Sequence, residues 1–253
     1  MGFEIQKAGF WKRASAFLLD IILRAIFIVG MMALLSAVTG YDEKTQKMQE
    51  IYDRYSAQYE TNLSMSEAEY NALPKEDQEK FSAAYEALTG DAEAMQLYRQ
   101  AMKLSLINLT ASIFIVYLVL EFIVPLLLKE GRTLGKKVFG LCVVHTNCVR
   151  MEPGAMFIRS ILGKYTIETM IPVLVIHMLY FGTVGLAGTA LLIVLLLAQI
   201  VLMTATRSSQ LIHDLLAQSA VADYQSQPVY ATLEELNAAK AHKAAEAARL
   251  STY

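Results

Sequence analysis

Arg13-Ala-Ser-Ala-Phe-Leu-Leu-Asp20-Ile-Ile-Leu-Arg24 opens an apolar run that continues to Val38. The run from Ala14 to Val38 is long enough to cross about 30 Å of hydrocarbon. Charges at its start and inside it set this stretch apart. At about 100° per residue, positions 13, 20 and 24 fall within roughly 40° of one another, forming one polar stripe on an apolar rod. A charge at mid-bilayer costs about 2.5–3.5 kcal/mol on insertion scales. Arg13 lies where the span begins and can extend to the headgroups. Asp20 and Arg24 lie about 10 and 16 Å deeper, at roughly 1.5 Å per residue. They stand acid before base at i, i+4, the better order for pairing with each other. The stripe is therefore expected to face other helices or a wet cavity. It serves there either as an ion or proton site or as a structural pair.

The remaining composition agrees with a membrane setting. The chain has 253 residues, is 55% hydrophobic and has a mean hydropathy of +0.37, values that suit a polytopic membrane protein. The first apolar run is too long and too charged for a cleavable leader and reads as a retained anchor. Cys142 and Cys148 are the only cysteines and imply no disulfide framework.

Residues 1–12 carry Lys7, Lys12 and the pair Phe10-Trp11, a membrane-boundary composition. Residues 41–103 differ from the apolar runs, with 13 acidic and 7 basic residues and five of the chain's 13 tyrosines between Tyr41 and Tyr70. Ser66-Glu67-Ala68-Glu69 matches a capping box, Pro74 suits a first helical turn, and Gly90-Asp91 reads as one helix stop and the next start. Two or three helices are expected, packed through the tyrosines. No spaced oxygen-ligand loop for calcium is present.

A second span is read at 104–128. Asn108 is near one end; Glu121 and Pro125 are near the other. Glu121 is an acid at membrane depth, with Lys129 two turns on as an available partner. Residues 129–164 carry seven basic and two acidic residues, which places this loop in the cytoplasm under the positive-inside rule. Its glycine-rich start, Gly131 to Gly140, lacks the spacing of a phosphate loop and reads as a basic segment at a lipid surface. Leu141-Cys142-Val143-Val144-His145 alternates weakly before a turn at Thr146-Asn147. Cys142, His145 and Cys148 do not have a zinc spacing, and no metal or cofactor is expected.

A third, shorter span is read at 165–182, with Glu168, Pro172 and His177. A turn at Gly182-Thr183-Val184-Gly185 leads into the most apolar span, 183–206. Arg207 returns the chain to the cytoplasm, where Gln210-Leu-Ile-His213-Asp214-Leu-Leu-Ala217 is a second polar site. Thr232-Leu-Glu-Glu235 then caps an alanine-rich helix over 225–253. The expected fold is all-α: a polytopic membrane helix bundle of about four transmembrane helices. Its parts are 1–40, a polar extracytoplasmic helical insert at 41–103, the remaining membrane region 104–224, and the tail. Both termini are expected in the cytoplasm, in a multi-pass protein of the cell membrane.

Three motifs together resemble the RDD family of bacterial membrane proteins. They are Arg13-Ala-x-Ala-x-x-x-Asp20, then Gly131-Arg-Thr133-Leu134-Gly135-Lys136-Lys-x-x-Gly140, then His213-Asp214-Leu-Leu-Ala217. By position the naming residues are Arg13, Asp20 and Asp214. Members usually join the first two spans by a short loop, where this chain inserts about sixty residues. Cys148 stands where many members have a turn glycine. The resemblance implies a transporter, and cation–proton exchange is associated with some members.

The expected function is translocation of an inorganic cation or proton, with Arg13, Asp20, Arg24, Glu121, His177 and Asp214 as candidates and Arg13 with Asp214 as a cytoplasmic gate. The alternative is a scaffold or sensor that binds partners through the insert and tail. No H-E-x-x-H or G-x-S-x-G is present, so an enzyme is not expected. The lipid bilayer is the expected partner, with self-assembly into a homo-oligomer and no nucleic acid.

Overall fold

The computed structural model describes residues 5–128, 130–180, 184–206 and 209–250. Three readings lie outside those residues: Lys129 beside Glu121, Gly182-Thr183 in the turn, and Arg207 as the point of return. Four helices are long and apolar enough to cross a membrane. They are α1 (Phe10–Thr39), α5 (Ala92–Leu127), α7 (Pro153–Leu179) and α8 (Gly185–Ala205). Between the first two lie α2 (Tyr41–Gln58), α3 (Glu67–Ala72) and α4 (Lys75–Gly90). Between α5 and α7 lie α6 (Leu134–Val138) and strand β1 (Leu141–His145). After α8 come α9 (Ile212–Leu216), strand β2 (Ser219–Asp223) and α10 (Leu233–Leu250). The architecture is a helical membrane bundle, as its sequence predicts, with one small sheet added.

The chain forms two compact units. One is Val29–Ser112. Its core is Ile51, Leu63, Ala84, Leu88 and Ala94, with Tyr52, Tyr55, Tyr59 and Phe81 packed against them. The tyrosines thus pack helices, as read. Ser66 and Glu69 form the expected reciprocal cap at the start of α3. Asp91 stops α4 and starts α5, its Oδ1 accepting the backbone N–H of Glu93 at 2.8 Å and of Ala94 at 3.2 Å. Pro74 stands one residue before the first turn of α4 rather than in it.

The other unit is Met1–Ile28 with Ile113–Tyr253. Here β1 pairs antiparallel with β2, Leu141 opposite Asp223 and His145 opposite Ser219. The stretch 141–145 is a strand whose full partner lies far along the chain, and across the turn Val144 also bridges Arg150 antiparallel, as in a short local hairpin. Both faces of β1 are buried: Leu141 and Val143 pack with Ala16, Met156 and Val221, and Cys142 and Val144 pack with Ala222. The turn at Thr146-Asn147 is present, and Cys148 takes φ +69°, the left-handed region that favours glycine.

Two spans differ from their sequence bounds. α5 begins at Ala92, before the apolar run, because capping and packing set its start rather than hydropathy. α7 begins at Pro153 rather than 165, and it takes in Arg159 and Lys164, which the charge pattern alone places in the loop. Both helices widen to i→i+5 hydrogen bonding, α5 over Leu118–Ile123 and α7 over Ile158–Met170. In α register, residues five apart diverge by about 140°. An i→i+5 register brings them towards one face. Arg159 and Lys164 are five apart, and both are buried.

Candidate functional site

The buried residues of α1 are Ala16, Asp20 and Arg24, one stripe along an otherwise exposed apolar helix. Asp20 is 6% exposed and turns inward. Its Oδ2 accepts the Thr133 hydroxyl at 2.5 Å, and its Oδ1 accepts the Gly135 backbone N–H at 2.8 Å. Thr133 caps α6 by accepting the backbone N–H of Lys136 at 3.3 Å. The Lys136 ammonium lies 3.2 Å from Thr133 Oγ1 and 3.7 Å from Asp20 Oδ2. The hydroxyl donates once and accepts twice, which uses its full capacity. Gly135 permits the approach: a Cβ there would stand 2.3 Å from the Ala16 carbonyl oxygen and 2.8 Å from Asp20 Oδ1. The basic segment from Gly131 to Gly140 therefore docks on α1 rather than lying on a lipid surface, because Gly135 and Lys136 are buried against Asp20.

Arg24 does not pair with Asp20. Its guanidinium donates to Glu121 Oε1, and Lys164 Nζ donates to Glu121 Oε2 at 2.5 Å. The Arg24 guanidinium also lies over the Tyr117 ring, 5.2 Å from its centroid.

Asp214 does not pair with Arg13 as a gate. Arg159 holds it, with Nε at 3.0 Å and Nη2 at 2.6 Å from Oδ1. The Ser219 hydroxyl adds a contact at 3.1 Å. Arg13 donates instead to the Ser209 carbonyl at 2.7 Å. The His213 ring contacts Glu168 through Nδ1 at 2.8 Å, and its Nε2 lies 3.5 Å from Asp214 Oδ2. Gly163 lets α9 approach α7, since a Cβ there would meet His213 Cβ at 2.5 Å.

The cluster balances. Asp20 faces Lys136, Glu121 faces Arg24 and Lys164, Asp214 faces Arg159, and Glu168 faces His213. A buried charge without a partner is far more expensive than a compensated one, so this balance is what allows the cluster. Burial alone would raise the Asp214 carboxyl, but Arg159 and His213 outweigh it and hold Asp214 well below the usual carboxylate range. Burial pushes His213 below its ordinary value against the pull of Asp214. Lys136 is brought down to about 7, first by burial and then by Lys164. A lysine that titrates near neutrality beside a fixed carboxylate can exchange a proton.

Asp20, Arg24, Glu121, Asp214, Thr133, Gly135, Lys136 and His213 thus come together, with Arg13 adjoining them at Ser209. Leu134 is half-buried in α6, and Gly131 and Gly140 turn the chain at φ +62° and +64°. His177 is half-buried in α7, nine residues beyond Glu168, or about 13 Å at roughly 1.5 Å per residue. Sequence reasoning missed Arg159 and Lys164 and assigned no role to Glu168. Their signal was the five-residue spacing, which becomes meaningful only once the helix register is known. Among the described residues, no group of three or more His, Cys, Asp or Glu is placed to hold a metal ion. Cys142 donates instead to the Ala222 carbonyl, and burial raises its thiol to about 12.

The model of the RDD family matches this chain over residues 7–218. No curated protein and no solved structure matches it.

Proposed function

This chain belongs to the RDD family, and on that footing we propose that it exchanges protons for small inorganic cations across the cell membrane, with Asp20 and Lys136 as the exchanging pair. The observation that carries this is Lys136: a buried ammonium 3.7 Å from Asp20, brought by its surroundings to about 7. Protonated Lys136 neutralises Asp20. When Lys136 releases its proton to water, a cation takes the place of the ammonium beside Asp20. One positive charge replaces another, so the local balance is kept at each stage. Thr133 and Gly135 hold the carboxylate still while its partner changes. Arg24, Lys164 and Glu121 keep the neighbouring charges fixed.

Both termini are assigned to the cytoplasm. The loop between α5 and α7 supports this, since Arg132, Lys136, Lys137 and Arg150 outnumber Glu130 and Glu152 between residues 130 and 152. Four spans enclose little space, so a homo-oligomer is included in the proposal.

Purified protein in vesicles with an internal pH dye tests the exchange under an imposed sodium or potassium gradient. Wild type is expected to move protons against the cation. Asp20→Asn and Lys136→Arg are expected to abolish the movement, because an arginine does not release its proton in this range. Undiminished exchange in both variants would overturn the assignment.

A second reading, as a scaffold or sensor, draws on the insert's own core and on the exposed length of α10. It expects deletion of 42–100 to release a stoichiometric partner in crosslinking while leaving any flux unaltered.

A further inference from the structure

Asn108 and Ser112 lie one turn apart on α5 and are 2% and 0% exposed, so neither faces lipid. Asn108 Nδ2 donates to Thr39 Oγ1 at 3.0 Å. That bond fixes the amide and aims its oxygen elsewhere. Asn108 Oδ1 has no hydrogen-bond partner among the described residues. Ser112 is fully buried in its span, and its hydroxyl has no hydrogen-bond partner among them either. Thr39, Thr110, Thr204 and Thr206 each return their hydroxyl to the carbonyl four residues earlier, the usual way a helix absorbs one. Ser112 does not. Two oxygens with unused lone pairs are thus buried on one helix face, where side chains four apart start about 5–6 Å from each other at Cβ. Orphaned oxygens this deep call for an occupant.

The chemistry of the pair selects that occupant. Both donors are hard, neutral oxygens, with no thiolate or imidazole and no carboxylate between them. A divalent ion would ask for carboxylates, whereas a singly charged ion is served by carbonyl and hydroxyl oxygens. The polar segment 41–103 carries 13 acidic residues against 7 basic ones, which concentrates cations around the unit that holds the pair. We propose that Asn108 Oδ1 and Ser112 Oγ form a binding site for one small monovalent cation, sodium, separate from the Asp20 cluster. The inference stands independently of the exchange reading.

Thermal unfolding of the full chain in detergent tests it, in sodium chloride and in choline chloride at equal ionic strength. Wild-type Tm is expected to rise with the logarithm of sodium concentration, as for any ligand bound by the folded state alone. Ser112→Ala removes one ligand from a small residue and is expected to raise the half-saturating sodium concentration at least tenfold. Asn108→Asp adds a charge at the other ligand and is expected to lower it at least tenfold, a gain that a misfolded variant cannot show. No sodium dependence in wild type overturns the proposal and leaves a buried water as the occupant. A response lost in Asp20→Asn but intact in Ser112→Ala and Asn108→Asp also overturns it, by assigning the ion to the exchange site.

Discussion

Arg24 gives its guanidinium to Glu121, 97 residues away, rather than to Asp20 four residues before it on the same helix. Asp20 is thereby left to Thr133, Gly135 and the weaker cation Lys136. The arrangement separates a fixed ion group from an exchangeable one.

Removing the centre of the fixed group is expected to destabilise the protein strongly. Glu121→Gln leaves Arg24 and Lys164 buried without their shared anion, and breaking such a group typically costs about 3–5 kcal/mol. The combined change Glu121→Leu, Arg24→Leu and Lys164→Met removes all three charges, so most of that stability is expected to return. Thermal unfolding in detergent compares the two. Equal stability of the single and triple variants would show that the three charges do not act together.

Lys136 makes stability depend on pH in a defined window. Its folded value of about 7 lies below the ordinary 10.5, so between them the unfolded chain binds a proton that the folded chain does not. Stability is then expected to be fully present above 10.5 and to fall as pH drops towards 7. In Lys136→Met this part of the slope is expected to vanish. Denaturation of both proteins across that range reads the difference.

His213 acts in the same sense at lower pH. Burial depresses it, against the pull of Asp214 on one side and Glu168 on the other, while Arg159 and Lys164 add to the depression. Its contribution is full above 6.5 and is lost as pH falls through the lower folded value. A His213→Gln variant is expected to lose less stability than wild type between pH 6.5 and 5, as seen by melting temperature.

Gly135→Ala is expected to separate α6 from α1, because the new methyl would meet the Ala16 carbonyl, a backbone atom. Overpacking of this kind costs about 1–3 kcal/mol. A cysteine pair placed across α1 and α6 is expected to crosslink in the parent background and much less in Gly135→Ala. Undisturbed crosslinking would mean that the two elements have room to spare.

Sequence alone settled the material of this protein. Runs such as Ala14–Val38 have no reason to exist outside lipid, and the spacing of 13, 20 and 24 required one polar stripe. The three short motifs identified the family, and local capping chemistry at Ser66, Gly90 and Asp91 marked helix ends in the polar insert. These features rest on interactions within a turn or two, so they can be read in a string of residues. Only the folded chain decided which charge meets which. Arg24 with Glu121, Arg159 with Asp214 and β1 with β2 all join residues far apart in sequence. Where water is excluded, an ion takes whichever counter-ion packing brings to it, and the i→i+5 register that turns Arg159 and Lys164 inward is set by the neighbours they meet.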